Sequence, residues 1–301
     1  MIDRNSIVTT NQAVTKKMAT SQLSPPKVCL FDIGGVCVVS PFRAILDYEI
    51  ANHIPPGWVN FSISRCAPNG AWHRLERGEI KNDAAFFRAF NADLRRPDLW
   101  RDHCARAARR SGSPVAPTPT SATSVGVLSA AGADATPPLP NVDAEWLFWE
   151  MMRISREPDV HMLPAVRALK ASGRFLVGAL SNTSIFPEGH PFNNPPADPA
   201  KDVRAVFDVF VSSAHVGLRK PDPKIYELAM RLLNEWWTKM GKDGQLSPGD
   251  VVFLDDIGEN LKAARECGMR TIKVQMGNTR GAVKELEKIT GMSLAGDEAK
   301  L

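Results

Sequence analysis

The stretch Val28-Cys29-Leu30-Phe31-Asp32-Ile33-Gly34-Gly35-Val36 decides how the chain is read. Four mostly apolar residues run into a carboxylate, and two glycines follow at once. This is the pattern of a fully buried strand that ends at Asp32 in a sharp turn. In open α/β sheets, ligands bind beyond the carboxyl ends of the strands, which is where Asp32 would stand. The glycines would let other groups approach the backbone closely. On this stretch alone, an Asp that merely caps the next turn fits as well.

The same succession, apolar strand then polar residues, recurs downstream. Phe175–Leu180 runs into Ser181-Asn182-Thr183, Val206–Ser212 reads as a further strand, and Val251–Leu254 ends in Asp255-Asp256. Thr271–Val274 is the last strand. Helical patterns lie between them. Pro164–Ala171 is closed by Gly173. Lys220-Pro221-Asp222-Pro223 opens a long helix, with Asp222 as N-cap and Pro223 at its first position. Ile225, Leu228, Ala229, Leu232, Leu233 and Trp236 give that helix an apolar face. Gly258–Cys267 is stopped by Gly268, and Ala282–Ile289 is the last helix. Strands alternating with helices predict an α/β fold built on a doubly wound parallel sheet, assembled from residues 27–40 and 160–293.

Residues 41–159 break that alternation. Ile45, Leu46, Glu49 and Ile50 suit one amphipathic helix, and Ala84, Phe87 and Phe90 another. This block reads as a helical cap inserted after the first strand, lying over the carboxyl edge of the sheet. Within it, residues 111–141 contain six prolines, no Lys or Arg, and Asp134 as their one acid. Such a tract cannot bury enough apolar surface to offset its ordering entropy, so a disordered insertion is expected. A disordered leader is expected over 1–26 and a short tail over 294–301.

The chain has 301 residues, of which 44% are hydrophobic and 23% charged, enough for a globular core. A net charge of +4 without long basic runs argues against nucleic acid as a partner. The longest apolar runs fall far short of the roughly 20 residues of a membrane span. Five cysteines without a Cys-x-x-Cys fit a reduced compartment, with neither a disulfide framework nor a zinc site. Cys29 and Cys267 fall at expected core positions. A cytoplasmic location follows. Arg4, Lys16 and Lys17 against the single acid Asp3 make mitochondrial targeting the alternative.

The polar strand ends fall at one edge. Asp255 and Asp256 repel each other side by side, so the arrangement calls for a cation. The set suits phosphoryl transfer through an aspartate. Asp32 would attack phosphorus. Mg²⁺ would be held by Asp32, the backbone carbonyl of Gly34, Asp255 and Asp256. Ser181, Asn182, Thr183 and Lys220 would hold the phosphate oxygens.

In this order, Asp32-x-Gly34-Gly35-Val36, Ser181-Asn182-Thr183, Lys220-Pro221-Asp222-Pro223 and Phe253-Leu254-Asp255-Asp256-Ile257-Gly258-x-Asn260-Leu261, the sequence resembles the haloacid dehalogenase-like hydrolases. It is similar in particular to the phosphatase domain at the N-terminus of soluble epoxide hydrolase and its stand-alone relatives. The resemblance covers 27–40 and 160–293 well. It reaches the cap only through Gly70-Ala71-x-x-Arg74-Leu75-x-x-Gly78-Glu79-Ile80. No Gly-x-Ser-x-Gly elbow is present, so epoxide hydrolysis is not implied.

What the resemblance implies is a Mg²⁺-dependent phosphatase acting on a small-molecule or lipid phosphate through an aspartyl phosphate. One departure matters. Most phosphatases of the family carry a second Asp two residues after the nucleophile, as general acid and base, and this chain has Gly34. Such help is typically worth ~10²–10⁴-fold in rate. Sugar-1-phosphates or acyl phosphates, whose leaving groups depart more easily, would need it less. A substitute acid from the cap would be His53, His73 or Glu79. The alternatives are a non-catalytic phosphate-binding protein and a hydrolytic dehalogenase, whose halide needs no proton. The acidic pair argues against the dehalogenase, which needs no metal. Trp58, Trp72, Trp146 and Trp149 are candidates to line an apolar pocket, and core packing of the cap explains them equally well. Residues 185–200, rich in proline, form a loop without an assigned role.

Overall fold

The computed structural model describes residues 24–111 and 137–294. The expected leader and insertion lie outside the described residues except for 24–26, 111 and 137–141, as does the tail beyond Leu294.

Five parallel strands form one sheet in the order β3-β2-β1-β4-β5. They are β1 (Val28–Phe31), β2 (Leu176–Ser181), β3 (Val209–Ser212), β4 (Val251–Asp255) and β5 (Arg270–Lys273). Strand β1 pairs with β2 on one side and β4 on the other, Phe31 standing opposite both Ala179 and Leu254. The inner strands are apolar throughout because both faces are covered. Cys29 and Phe31 point into a cluster with α7 (Met162–Ser172) and α11 (Thr279–Thr290). Val28 and Leu30 point the other way, against α9 (Pro223–Lys239) and α10 (Gly258–Glu266). A doubly wound sheet results, as the sequence predicts. Successive strands run outward from β1 in one direction and then restart at β4. The topological switch point therefore falls between β1 and β4.

Two strands differ in length or phase from the expectation. β3 starts at Val209, because Arg204–Val206 turns as a short 3₁₀ segment. β5 runs Arg270–Lys273, one residue earlier than predicted. In α9, Asp222 accepts from the Lys224 N–H and Pro223 opens the helix, as expected. Its buried face carries Ile225, Tyr226, Ala229, Leu233 and Trp237, whereas Leu228, Leu232 and Trp236 sit at the edge. The predicted stripe is thus rotated by about one residue. Cys29 is buried, whereas Cys267 is only half-buried.

The cap comprises α1 (Pro41–Ala51), α2 (Trp58–Arg65), α3 (Ala71–Glu76), α4 (Ala84–Leu94), α5 (Pro97–Ser111) and α6 (Ala144–Ile154). It has a hydrophobic core of its own, in which Trp58, Phe86, Phe90 and Phe148 are fully enclosed. Residues 137–141 run along this block, where the Pro137 carbonyl accepts from Trp100 Nε1 at 2.7 Å. Both connections to the sheet pass side by side. The Val39 N–H donates to the Glu157 carbonyl and the Asp159 N–H to the Cys37 carbonyl, each at 2.9 Å. A paired two-strand neck of this kind fixes where the cap sits over the carboxyl edge.

Candidate active site

Asp32 stands at the switch point. Its backbone N–H still pairs with the Leu254 carbonyl at 2.9 Å, so the residue is held by the ladder although the strand proper has ended. Its carboxylate accepts from the Ile33 N–H at 2.7 Å. The turn that follows brings Gly35 to φ +75°, and a Cβ there would lie 2.4 Å from Asp256 Oδ2. Glycine at this point is what lets the β1 turn and the end of β4 close on one another.

Lys220 joins the two strand ends. Its Nζ lies 2.9 Å from Asp32 Oδ2 and 2.6 Å from Asp255 Oδ2, and the side chain is wholly buried. Asn182, just beyond β2, holds the Lys220 backbone from both sides. Its Oδ1 accepts from the Lys220 N–H at 2.8 Å and its Nδ2 donates to the Lys220 carbonyl at 3.1 Å. Thr183 faces β3: its N–H donates to Ser213 Oγ at 2.8 Å, and its hydroxyl pairs with Ser212 Oγ at 2.5 Å. Ser181, buried at the end of β2, makes among the described residues only a 3.4 Å contact with the Asn182 carbonyl, so its hydroxyl can turn toward a ligand.

The two adjacent carboxylates differ. Asp255 is tightly held: Lys220, the Ile257 N–H at 2.7 Å and Asn260 Nδ2 at 3.1–3.2 Å all bond it. Asp256 is more open and only half-buried. The sequence pattern treats the pair as equals. Tertiary packing makes Asp255 the anchor of Lys220 and leaves Asp256 outward. Asn260, whose carbonyl accepts from Tyr226 Oη at 2.8 Å, belongs to this network although the sequence reading gave it no role.

Oxygens of Asp32, Asp255 and Asp256 all lie within 4.8 Å of one another. Three carboxylates against one ammonium leave a formal excess of two negative charges. Burial pushes the Asp32 carboxyl up to about 7, against the pull of Lys220 and with the push of Asp255 and Asp256. Burial and the neighbouring Asp255 raise Asp256 to about 6. Burial alone would lower the Lys220 pKa, but Asp255 and Asp32 outweigh it and hold the pKa above the usual lysine value. An all-oxygen donor set with this charge excess fits a hard divalent cation.

A cavity of about 360 Å³ opens from this edge toward the cap. Ile33, Gly34 and Ser181–Ser184 line its sheet side, and Trp72, Leu75 and Glu76 of α3 its cap side. Of the four tryptophans singled out in the sequence, Trp72 alone lines it. Trp58 is in the cap core, and Trp146 is 53% exposed on the outer face. Trp149 serves the loop over 185–200, which crosses the cavity as a strap. His190 stacks on Trp149 with ring centroids 4.4 Å apart and planes 15° apart. Arg156 donates to the Phe192 and Asn194 carbonyls, both at 3.2 Å. Phe186 and Phe192 of the strap complete an apolar wall.

The cap acids expected from the sequence do not reach this cavity. His53 is exposed. Glu79 is exposed and bonded by Arg77, which holds its carboxyl below the usual range. His73 is buried elsewhere in the seam, and burial, with Arg219 and Arg77 nearby, pushes it down to about 4. The cap carboxylate on the cavity wall is Glu76. It accepts from Arg219 Nε at 2.7 Å, and its position was not legible from spacing alone.

Comparisons with known proteins identify the family. A mouse protein named acyl-CoA dehydrogenase family member 10 is 29% identical over 268 residues, 89% of this chain but 19% of its own length. Pig bifunctional epoxide hydrolase 2 is 42% identical over 93 residues, 31% of this chain and 14% of its length. The chain thus spans a fifth or less of these two relatives. A Mycobacterium tuberculosis protein named phosphatase MT3486 is 29% identical over 128 residues, 42% of this chain and 51% of its length. The family model described as haloacid dehalogenase-like hydrolase matches residues 26–268. With that match over most of its length and the parallel sheet beneath it, the chain belongs to the haloacid dehalogenase-like hydrolases.

Proposed function

We propose that the protein is a Mg²⁺-dependent phosphatase that hydrolyses a small-molecule or lipid phosphate monoester through an aspartyl phosphate on Asp32. The observation that carries the reading is Lys220, buried between Asp32 and Asp255. Its charge opposes the effect of burial on the Asp32 carboxyl and orients that carboxylate, which a nucleophile needs. The Mycobacterium relative, named as a phosphatase, supports the same chemistry.

In the first step an Asp32 oxygen bonds to phosphorus and the ester oxygen departs. Lys220 turns its charge from Asp32 to the phosphoryl oxygens as the carboxylate is consumed, and the Ser181 hydroxyl donates to another of them. Asn182 acts through Lys220, whose backbone it clamps, and Thr183 acts through β3. Asp32, the Gly34 carbonyl, Asp255 and Asp256 would hold Mg²⁺, which when bound supplies positive charge against the phosphate oxygens. Water then attacks phosphorus and releases Asp32. The cavity above, apolar on the cap and strap sides, would take the organic part of the ester.

The test is hydrolysis of an aryl phosphate by the purified protein, with and without Mg²⁺, beside Asp32→Asn. An aryl leaving group needs little protonation, so Gly34 does not hide activity. Turnover that requires both Mg²⁺ and Asp32 is expected. Phosphate binding without turnover would replace this reading with a phosphate-binding protein, and metal-independent halide release from a haloacid would replace it with a dehalogenase.

A further inference from the structure

We propose that His215, acting through Ser212, sets which way the Thr183 hydroxyl points, and so whether Thr183 offers a proton to an anion held in the cavity. His215 is then a positioning residue for the phosphate oxygens, and the inference rests on the phosphatase reading above.

Strand β3 ends beside the phosphate side of the cavity, with Ser212 opposite Ser181 in the ladder. A short helix, α8 (Ser213–Val216), follows at once. Ser212 is its N-cap, where a serine hydroxyl usually accepts from a helix N–H two or three residues on. Here it makes no such bond. Instead Ser212 Oγ lies 2.5 Å from Thr183 Oγ1 and 2.8 Å from His215 Nδ1. Ser213, wholly buried, holds the Thr183 backbone, its Oγ accepting from the Thr183 N–H at 2.8 Å. Thr183 is therefore fixed in place, and it lines the cavity on the wall it shares with Gly34 and Ser181. His215, at the other end of the row, is exposed. A continuous row of hydrogen bonds thus runs from solvent to the cavity wall.

Each hydroxyl has one proton to donate. A bare Nδ1 can only accept, so Ser212 donates to it and Thr183 donates to Ser212. The Thr183 oxygen then turns its lone pairs to the cavity, which repels an anion. When Nδ1 carries a proton, the row reverses. Nδ1–H donates to Ser212, Ser212 donates to Thr183, and the Thr183 proton is left for the cavity. An imidazolium always has that proton, whereas a neutral ring must move it from Nε2. Histidine is the side chain that changes charge between about pH 5 and 8. By linkage, an anion that takes the Thr183 proton must tighten the hold of His215 on its own.

The elements packed against α8 are β3 and α3. β3 has no ionisable side chain. On α3, His73 is buried and neutral near pH 7, Glu76 is bonded by Arg219, and Arg74 lies 3.7 Å from Glu79. Arg77, just after α3, bonds Glu79 as well. The carboxylates on this side therefore already have cationic partners.

The test follows the six histidines by NMR with Mg²⁺ present, His215 being the signal that His215→Gln removes. The probe is sulfate, which stays a dianion throughout the range in which histidine titrates, so the titration belongs to the protein. Its binding is checked by competition with aryl phosphate hydrolysis. Saturating sulfate should raise the His215 titration by about half a unit to one unit. In Ser212→Ala, and in Thr183→Val, which keeps the shape of threonine without its hydroxyl, the rise should fall to roughly half or less. An equal rise in all three proteins would be Coulomb attraction alone and would overturn the proposal. So would the absence of a rise in wild type, or sulfate that fails to compete with an aryl phosphate that is turned over. A protein that neither binds sulfate nor hydrolyses the ester would sink the phosphatase reading as well.

Discussion

Lys220→Met is the perturbation that tests the electrostatic core of the site most directly. Methionine is unbranched and fills the space of the lysine stem, so little packing is lost. What disappears is the ammonium that lies 2.9 Å from Asp32 and 2.6 Å from Asp255. Breaking a buried ion pair by removing one partner costs ~3–5 kcal/mol. One ammonium serves both carboxylates, so that range applies once. The cost must depend on pH. Asp32 in the folded protein binds its proton up to about pH 7, against 3.8 as its ordinary value. A carboxyl raised in this way binds protons more tightly in the folded chain than in the unfolded one. Its contribution to stability is therefore present at low pH and is lost as pH rises through that window, at ~1.4 kcal/mol per pH unit for each such proton. Without Lys220 the folded pKa of Asp32 moves higher still, and the loss continues above pH 7. Urea unfolding of metal-free protein near pH 8 should show the deficit of ~3–5 kcal/mol, and near pH 5.5 one smaller by about 1.4 kcal/mol. Mg²⁺ should narrow the gap near pH 8, because it supplies the positive charge that was removed. Equal deficits at the two pH values would refute the reasoning, since a packing defect does not titrate. So would a variant as stable as the wild type near pH 8.

Three further outcomes are expected. Asp32→Asn should abolish turnover yet raise the metal-free stability near pH 8 by ~1–3 kcal/mol in urea unfolding, because it removes a carboxylate that burial disfavours. Gly35→Ala should cost ~1–2 kcal/mol for its left-handed backbone alone and weaken Mg²⁺ binding in calorimetry, because its Cβ would displace Asp256 Oδ2. Gly34→Ala, with only Pro41 nearby, should be tolerated in both assays. Trp149→Ala removes the stack that fastens the strap, worth ~1 kcal/mol, so KM for an aryl phosphate should rise roughly fivefold with little change in kcat. Limited proteolysis should then cut the strap first.

The sheet was legible because its signals are local. Val28–Phe31 and Val251–Leu254 are apolar on every residue, which happens only where a strand is covered on both faces. The polar residues that follow them mark the strand ends, and parallel topology brings parallel strand ends to one edge. Asp32, Ser181, Lys220, Asp255 and Asp256 could therefore be grouped before any coordinate was known. The position of α9 was equally plain from Asp222 and Pro223, although its buried face was not, because edge residues on a long helix look as apolar as central ones.

What the sequence by itself determined was thus the fold, the edge and the residue types gathered there. Only the tertiary structure decided how those residues divide the work. Asp255 and Asp256 are adjacent and identical in kind. They part because Lys220, Ile257 and Asn260 converge on one of them, from α10 and from a loop 35 residues upstream. Spacing points to Glu79, His73 and His53 whereas Glu76 lines the cavity, because a helical cap presents its residues by how it packs. The Arg219 bridge that turns Glu76 to the cavity spans 143 residues of chain. The strap has no local signature for the same reason, since its stack on Trp149 exists only once the cap is docked. Strand ends obey a repeat of two within one segment, whereas these contacts join segments whose relative placement no local pattern encodes.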